Sequence, residues 1–160
     1  MPRVLLLNHV VLLACCSIYL GTGLSLVLFQ FPLEPGITID NYYLIFVEPV
    51  TLATHFFTWM TIVIFVTGAV MLVTEWLTGI RWVPVVVLAA IGIATLVTVR
   101  IIIPHYNVRL AAHVTDAVEL KRLLHDWMQL NRLRVALWAV AWAAMAYWFY
   151  AMAWKARADR

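Results

Sequence analysis

The sequence predicts an all-α, four-helix transmembrane bundle whose last helix extends beyond the membrane. Three observations predict it. The 160 residues are 65% hydrophobic and 12% charged, with a mean hydropathy of +0.93, whereas soluble domains carry roughly 25% charged residues. The apolar residues gather into four runs, each long enough for a hydrocarbon core of about 30 Å. Eight tryptophans and six tyrosines are many for this length, and such rings sit at bilayer interfaces where one edge is wet. The net charge of +3 reflects few acids, and no Lys/Arg run interleaves with aromatics, which excludes nucleic acid as a partner. The lipid bilayer is the partner the composition requires, with one domain over 1–160.

The first run spans about 4–29. Gly21 and Ser25 form a small-xxx-small step with Gly23 beside it, which lets another helix approach closely. Asn8 and His9 near its start read as interfacial groups. Cys15 and Cys16 point about 100° apart on a helix and cannot bridge without strain; they read as small core residues. The apolar run continues past Cys15, so Leu12-Leu13-Ala14-Cys15 is not expected to be a lipoprotein cleavage box.

Residues 30–49 read as a loop, because Pro32, Pro35 and Gly36 oppose a continuous helix. This loop has three acids and no Lys or Arg, and Tyr42, Tyr43 and Phe46 suit either a lid across the bundle or a plain interfacial connector. The second run covers 50–77, with His55 roughly 8 Å below its start and Thr54, Thr58 and Thr61 nearby. The third covers 82–103, with Pro84 tolerated in its first turn and Arg100 near its far end, placed to snorkel or to pair with a first-loop acid. Pro104 is expected to stop it. Asp116, with Glu119 three residues on, marks a new helix start. Unbroken to Trp154, that helix would run roughly 57 Å, so 104–134 is expected outside the lipid and 135–154 within it.

Four spans place both termini and the 74–81 turn on one side. Five basic residues fall there (Arg3, Arg81, Lys155, Arg157, Arg160) against six on the other side, so the positive-inside rule gives no majority. The first loop lacks positive charge while the C-terminal tail has three, which places the termini in the cytoplasm.

His55, Arg100, His105, Asn107, His125, Asp126, Asn131 and Arg134 all fall at one face of the membrane in this topology. Trp127, Asn131, Arg134 and Trp138 are spaced 4, 3 and 4 apart and share one helical face. Three chemistries suit such a cluster. His55, His105 and His125 are candidate metal or haem ligands, for iron, copper or zinc, although no metal-binding spacing joins them. Alternatively, His55 deprotonates an activated aromatic substrate while Asn131 and Arg134 stabilise the oxyanion, with Trp127, Asn107, Arg100 and Tyr42 as substrate contacts. Or the polar groups form a network that only fixes helix packing; the residues by themselves favour this last reading.

Pro104-x-x-Asn107-x-x-Leu110, an acidic segment, and Trp127-x-x-x-Asn131-x-x-Arg134 at the start of the last span resemble the anthrone oxygenase-like family of small four-helix membrane proteins. The likeness covers about 104–138 and is architectural elsewhere; Gly21-Thr22-Gly23 in the first helix is compatible. His55 and the acidic first loop have no counterpart in that pattern. The resemblance implies oxidation of a hydrophobic aromatic or quinol-like substrate with molecular oxygen, requires no metal, and places the chain in a bacterial inner membrane. Two other classes stand beside this membrane oxidoreductase. One is a non-catalytic accessory subunit of a larger membrane complex, and the other is a haem or copper carrier using His55 with His105 or His125.

Overall fold

The structure is a computed structural model that describes residues 2–158; Arg160, one of the terminal charges, lies outside them. The protein is 91% helical, and no strand occurs among the described residues. The helices are α1 (Arg3–Ser25), α2 (Glu48–Thr78), α3 (Trp82–Val97), a short α4 (Val108–Ala111) and α5 (Ala117–Ala158). With their continuations they make four helical rods long and apolar enough to cross a membrane. The expected four-helix membrane bundle is what the chain forms. At 1.5 Å per residue, the 42 residues of α5 reach about 63 Å, roughly twice a hydrocarbon core.

The rods are longer than the apolar runs because helix persists through residues expected to end it. After Ser25 the chain makes a π turn (Leu26–Gln30) and a 3-10 turn (Phe31–Gly36). Only at Ile37 does it become extended, with ψ 121°. Asn41 closes the short connection, accepting from Thr38 N at 2.8 Å and donating to the Gly36 carbonyl at 3.1 Å, an Asx-type turn. Helix resumes at a second π turn (Tyr43–Val47), so most of the expected 30–49 loop is helical. Pro49 follows directly on this π turn at the start of α2, inside a continuous helical rod whose widened turn accommodates a residue with no N–H to donate.

Pro104 does not stop the third rod. From Thr98 to Asn107 the backbone widens into a π helix that carries Pro104 inside it. That widening shifts the hydrogen-bond register around a residue with no N–H to donate. The rod ends at Ala112, and His113 (φ 58°) turns the chain through the left-handed region. The expected start of α5 holds: Asp116 Oδ1 accepts from Val118 N at 2.8 Å. Glu119 does not reach back to complete a capping box; it pairs with exposed Arg109.

The rods form a ring in which α1 and α3 each pack on both α2 and α5, leaving α2 diagonal to α5. Gly23 and not Gly21 marks the close approach. A Cβ on Gly23 would lie 2.7 Å from Val135 Cγ2, while Gly21 faces open space. Two cores result. One surrounds Leu12, Cys16, Ile64, Met71, Val87, Met145 and Trp148 toward the termini. The other gathers Phe31, Tyr42, Ile102, Leu110, Leu124 and Trp127 at the opposite end.

Candidate functional site

Between the two cores the four rods enclose a cavity of about 630 Å³, within the range of small-molecule sites. Its polar wall comes from α5. The helical spacing read from the sequence sets Trp127, Asn131, Arg134 and Trp138 on one stripe facing it. A hydrogen-bonded series runs along that stripe. Trp127 Nε1 donates to Asn107 Oδ1 at 2.9 Å, Asn131 Nδ2 donates to the Trp127 carbonyl at 2.8 Å, and Arg134 Nη1 donates to Asn131 Oδ1 at 2.6 Å. Asn131 and Trp127 are 2% and 3% exposed, so each link is shielded and the geometry is fixed. Trp127 is held further by the edges of Phe31 and Phe46, at 6.1 and 4.7 Å between ring centroids.

The series ends on a cation without a counter-ion. No carboxylate lies within ion-pair distance of Arg134 among the described residues. Its Nε has no hydrogen-bond partner among them, and neither has Trp138 Nε1, one turn further along the same wall. Buried donors without acceptors are uncommon and carry a desolvation cost. Opposite, Tyr19 of α1 stacks on Trp138 at 3.9 Å and 7° between ring planes. Its hydroxyl donates to the Phe57 carbonyl at 2.8 Å and lies 2.5 Å from Thr61 Oγ1. Thr54, Thr58 and Thr61 line the α2 wall; the Thr54 and Thr58 hydroxyls donate to the carbonyls four residues back, leaving their lone pairs to accept, while Thr61, with Tyr19's proton on the Phe57 carbonyl, donates to Tyr19 Oη. The cavity therefore offers a fixed guanidinium, an aromatic plate and a row of acceptors.

Of the residues expected at this site, Asn107, Trp127, Asn131 and Arg134 come together as a unit. The others do not join them. His55 is exposed and lines a separate hollow of about 210 Å³ with Thr51 and Val108, sharing Asn107 and Thr54 as a partition. It does not line the main cavity, and so is not brought together with Arg134 there. Arg100 and His105 are exposed, with no ion pair among the described residues. His125 is exposed and faces Gln129 at 3.4 Å. The expected grouping of His55, His105 and His125 on one metal does not form: no three His, Cys, Asp or Glu side chains gather suitably among the described residues.

Tyr42 is a bolt, not a substrate contact. It is 2% exposed, its hydroxyl donates to the Leu110 carbonyl at 3.2 Å, and it accepts from Val114 N at 2.6 Å. Tyr43 stacks on His113 at 4.2 Å and 7°. The first-loop aromatics thus clamp the end of the third rod and lie over the second core.

Two features escaped the sequence reading. Tyr19 sits in an apolar run with no polar neighbour to flag it. At the terminal end, His9 is fully buried, stacked on Trp148 at 4.4 Å, with Nε2 3.6 Å from Glu75 Oε1. It is no interfacial group. The Leu5 carbonyl, 2.6 Å from Nδ1, can only accept, so Nδ1 carries a proton. Nε2 then faces the carboxyl either as N–H toward carboxylate or as a lone pair toward a protonated acid, and either way the pair shares one proton.

Comparison with known proteins gives no match: no family model, no curated protein and no solved structure aligns with this chain.

Proposed function

We propose that this chain binds and oxidises a hydrophobic aromatic or quinol-like molecule in the cavity between its four rods. The observation that carries this reading is Arg134, a guanidinium held by Asn131 on the wall of a largely apolar cavity and matched by no carboxylate among the described residues. A cation so placed recognises a carbonyl or oxyanion, and it stabilises charge that develops on oxygen as a ring substrate loses a proton. The Tyr19–Trp138 plate beside it suits a flat ring. The resemblance to anthrone oxygenase-like proteins supplies the reaction: a ring CH₂ and O₂ become a ring C=O and water. The reading also places the chain in a bacterial inner membrane with both termini in the cytoplasm, supported by a first loop without positive charge.

The test uses the purified chain in nanodiscs with an anthrone as substrate. Oxygen uptake matched one-to-one by quinone absorbance, and lost in Arg134→Gln, is the expected result. Binding of the quinone, seen by tryptophan quenching, without any oxygen uptake would leave a binding protein and remove the oxidase activity.

A further inference from the structure

The shape of the cavity carries more than its head group. Its wall on α2 runs from Pro49 to Phe65, about 24 Å at 1.5 Å per residue. A volume of about 630 Å³ drawn out along that wall makes the cavity an elongated slot. The slot is also graded. Asn107 and Asn131 lie on the Trp127 side of Arg134, whereas Ile62 and Phe65 lie further along α2 than the Phe57–Thr61 turn that meets Tyr19 and Trp138.

The slot has a side opening. Thr58 and Ile62 on α2, and Val99 in the widened part of the third rod, line the cavity and yet are exposed, Ile62 by 50% and Val99 by 55%. Residues that line the cavity and stay exposed mark a gap between the two rods. The cause can be traced along the helices. Toward the termini α2 and α3 touch closely, since a Cβ on Gly68 would lie 2.7 Å from Leu88 Cδ2. Beyond that contact the third rod becomes a π helix over Thr98–Asn107, and π segments recur at functional sites. The rods are close at Gly68, whereas α2 makes hardly any contact with Thr98–Asn107, so they part along that stretch, where Ile62 and Val99 are apolar.

We infer that the ligand is an amphiphile that enters sideways from the bilayer, its oxygen-bearing ring head on Arg134 and its alkyl tail leaving between α2 and the third rod. This rests on the reading of Arg134 as the head site and adds the tail and the route. Water-soluble molecules of the same ring chemistry would not need a lipid-facing mouth, and a rod bundle closed on all sides would exclude a tail.

The experiment compares a naphthoquinone with and without a long alkyl chain, titrated as mole fraction of lipid into the full chain in nanodiscs. Quenching of intrinsic tryptophan fluorescence is the readout, since Trp127 and Trp138 line the slot. Because lipid and slot are both apolar, the tail gains little by transfer, and the two quinones are expected to bind within a few-fold of each other. Filling the mouth with Thr58→Phe should weaken the tailed quinone by about tenfold or more relative to the tail-less one, the effect of overpacking a filled site. Val99→Phe blocks the same gap from the other rod and serves if the first variant fails to fold. Rejection of the tailed quinone by the unmodified chain overturns the inference. So does an unchanged ratio in both folded variants. If neither quinone quenches, or if Arg134→Gln leaves both unaffected, the head site itself is wrong, which is a different failure.

Discussion

The two ends of the bundle handle buried polarity in opposite ways. Toward the termini, polar groups of different helices are turned on one another, although Trp148 Nε1 has no hydrogen-bond partner among the described residues. His9 of α1 meets Glu75 of α2, Glu75 Oε2 also accepts from Ile80 N at 2.8 Å, and Asn8 donates to the Thr67 carbonyl at 2.9 Å. Trp148 of α5 covers the pair with its ring. Toward the other end, the polar residues of the α5 stripe bond within α5 or to Asn107, and the series finishes on a guanidinium that no acid among the described residues neutralises. Cross-helix pairing consolidates helix packing, because removing either partner strands the other in a low dielectric. A cation left over serves an incoming acceptor, and it is a liability until one arrives. One end is built for cohesion and the other for recognition.

Substitutions that break this contrast should therefore separate stability from binding. The largest loss is expected at Trp148, 1% exposed and packed on His9. Trp148→Ala should lower unfolding free energy by about 3–5 kcal/mol, measured by denaturant titration in detergent micelles. Next comes Glu75→Ala, which strands His9 and Ile80 N and should cost about 3 kcal/mol. Glu75→Gln, which can still accept from Ile80 N, should cost clearly less. Equal losses from the two would show that the carboxylate charge, not the accepted hydrogen bond, is what matters at that end.

At the other end the balance changes. Arg134→Met removes a guanidinium from an apolar wall but leaves the buried Asn131 Oδ1 without its donor, so the two effects oppose and the chain without ligand should lose no more than about 1–2 kcal/mol. Affinity for a quinone should fall by about 10- to 100-fold, the worth of a charged hydrogen bond. A marked loss of stability with binding retained would make the α5 series a packing network and erase the contrast.

How much of this was legible in the sequence differs between the two ends for a physical reason. The Trp127, Asn131, Arg134 and Trp138 stripe lies on one helix, and a period of 3.6 residues brings it together whatever the rest of the chain does. Asn107 joined it through a short connection. The His9–Glu75 pair depends on how two separate rods register, and no local periodicity encodes that; His9 alone looked interfacial. Tyr19 was hidden for the same reason, since its partners Phe57 and Thr61 are on another rod. Pro104 misled because a proline's lost hydrogen bond is usually local and terminal, whereas here ten residues of backbone share the adjustment as a π helix.

The smallest predicted effect tests a residue whose expected and observed roles diverge. Tyr42 carries a hydroxyl near the polar face, which made it a candidate for touching substrate. Its oxygen in fact bonds two backbone groups on either side of the His113 turn, the Leu110 carbonyl and Val114 N. Tyr42→Phe keeps the ring in the second core and leaves those two groups unpaired. The cost should be about 1–2 kcal/mol, concentrated where the third rod meets α5. Hydrogen exchange should quicken at Val114 and its neighbours while quinone affinity stays within a factor of two or so, because the series on Arg134 does not pass through Tyr42. A loss of affinity as large as that of Arg134→Met would return Tyr42 to the ligand site and join the clamp to the cavity.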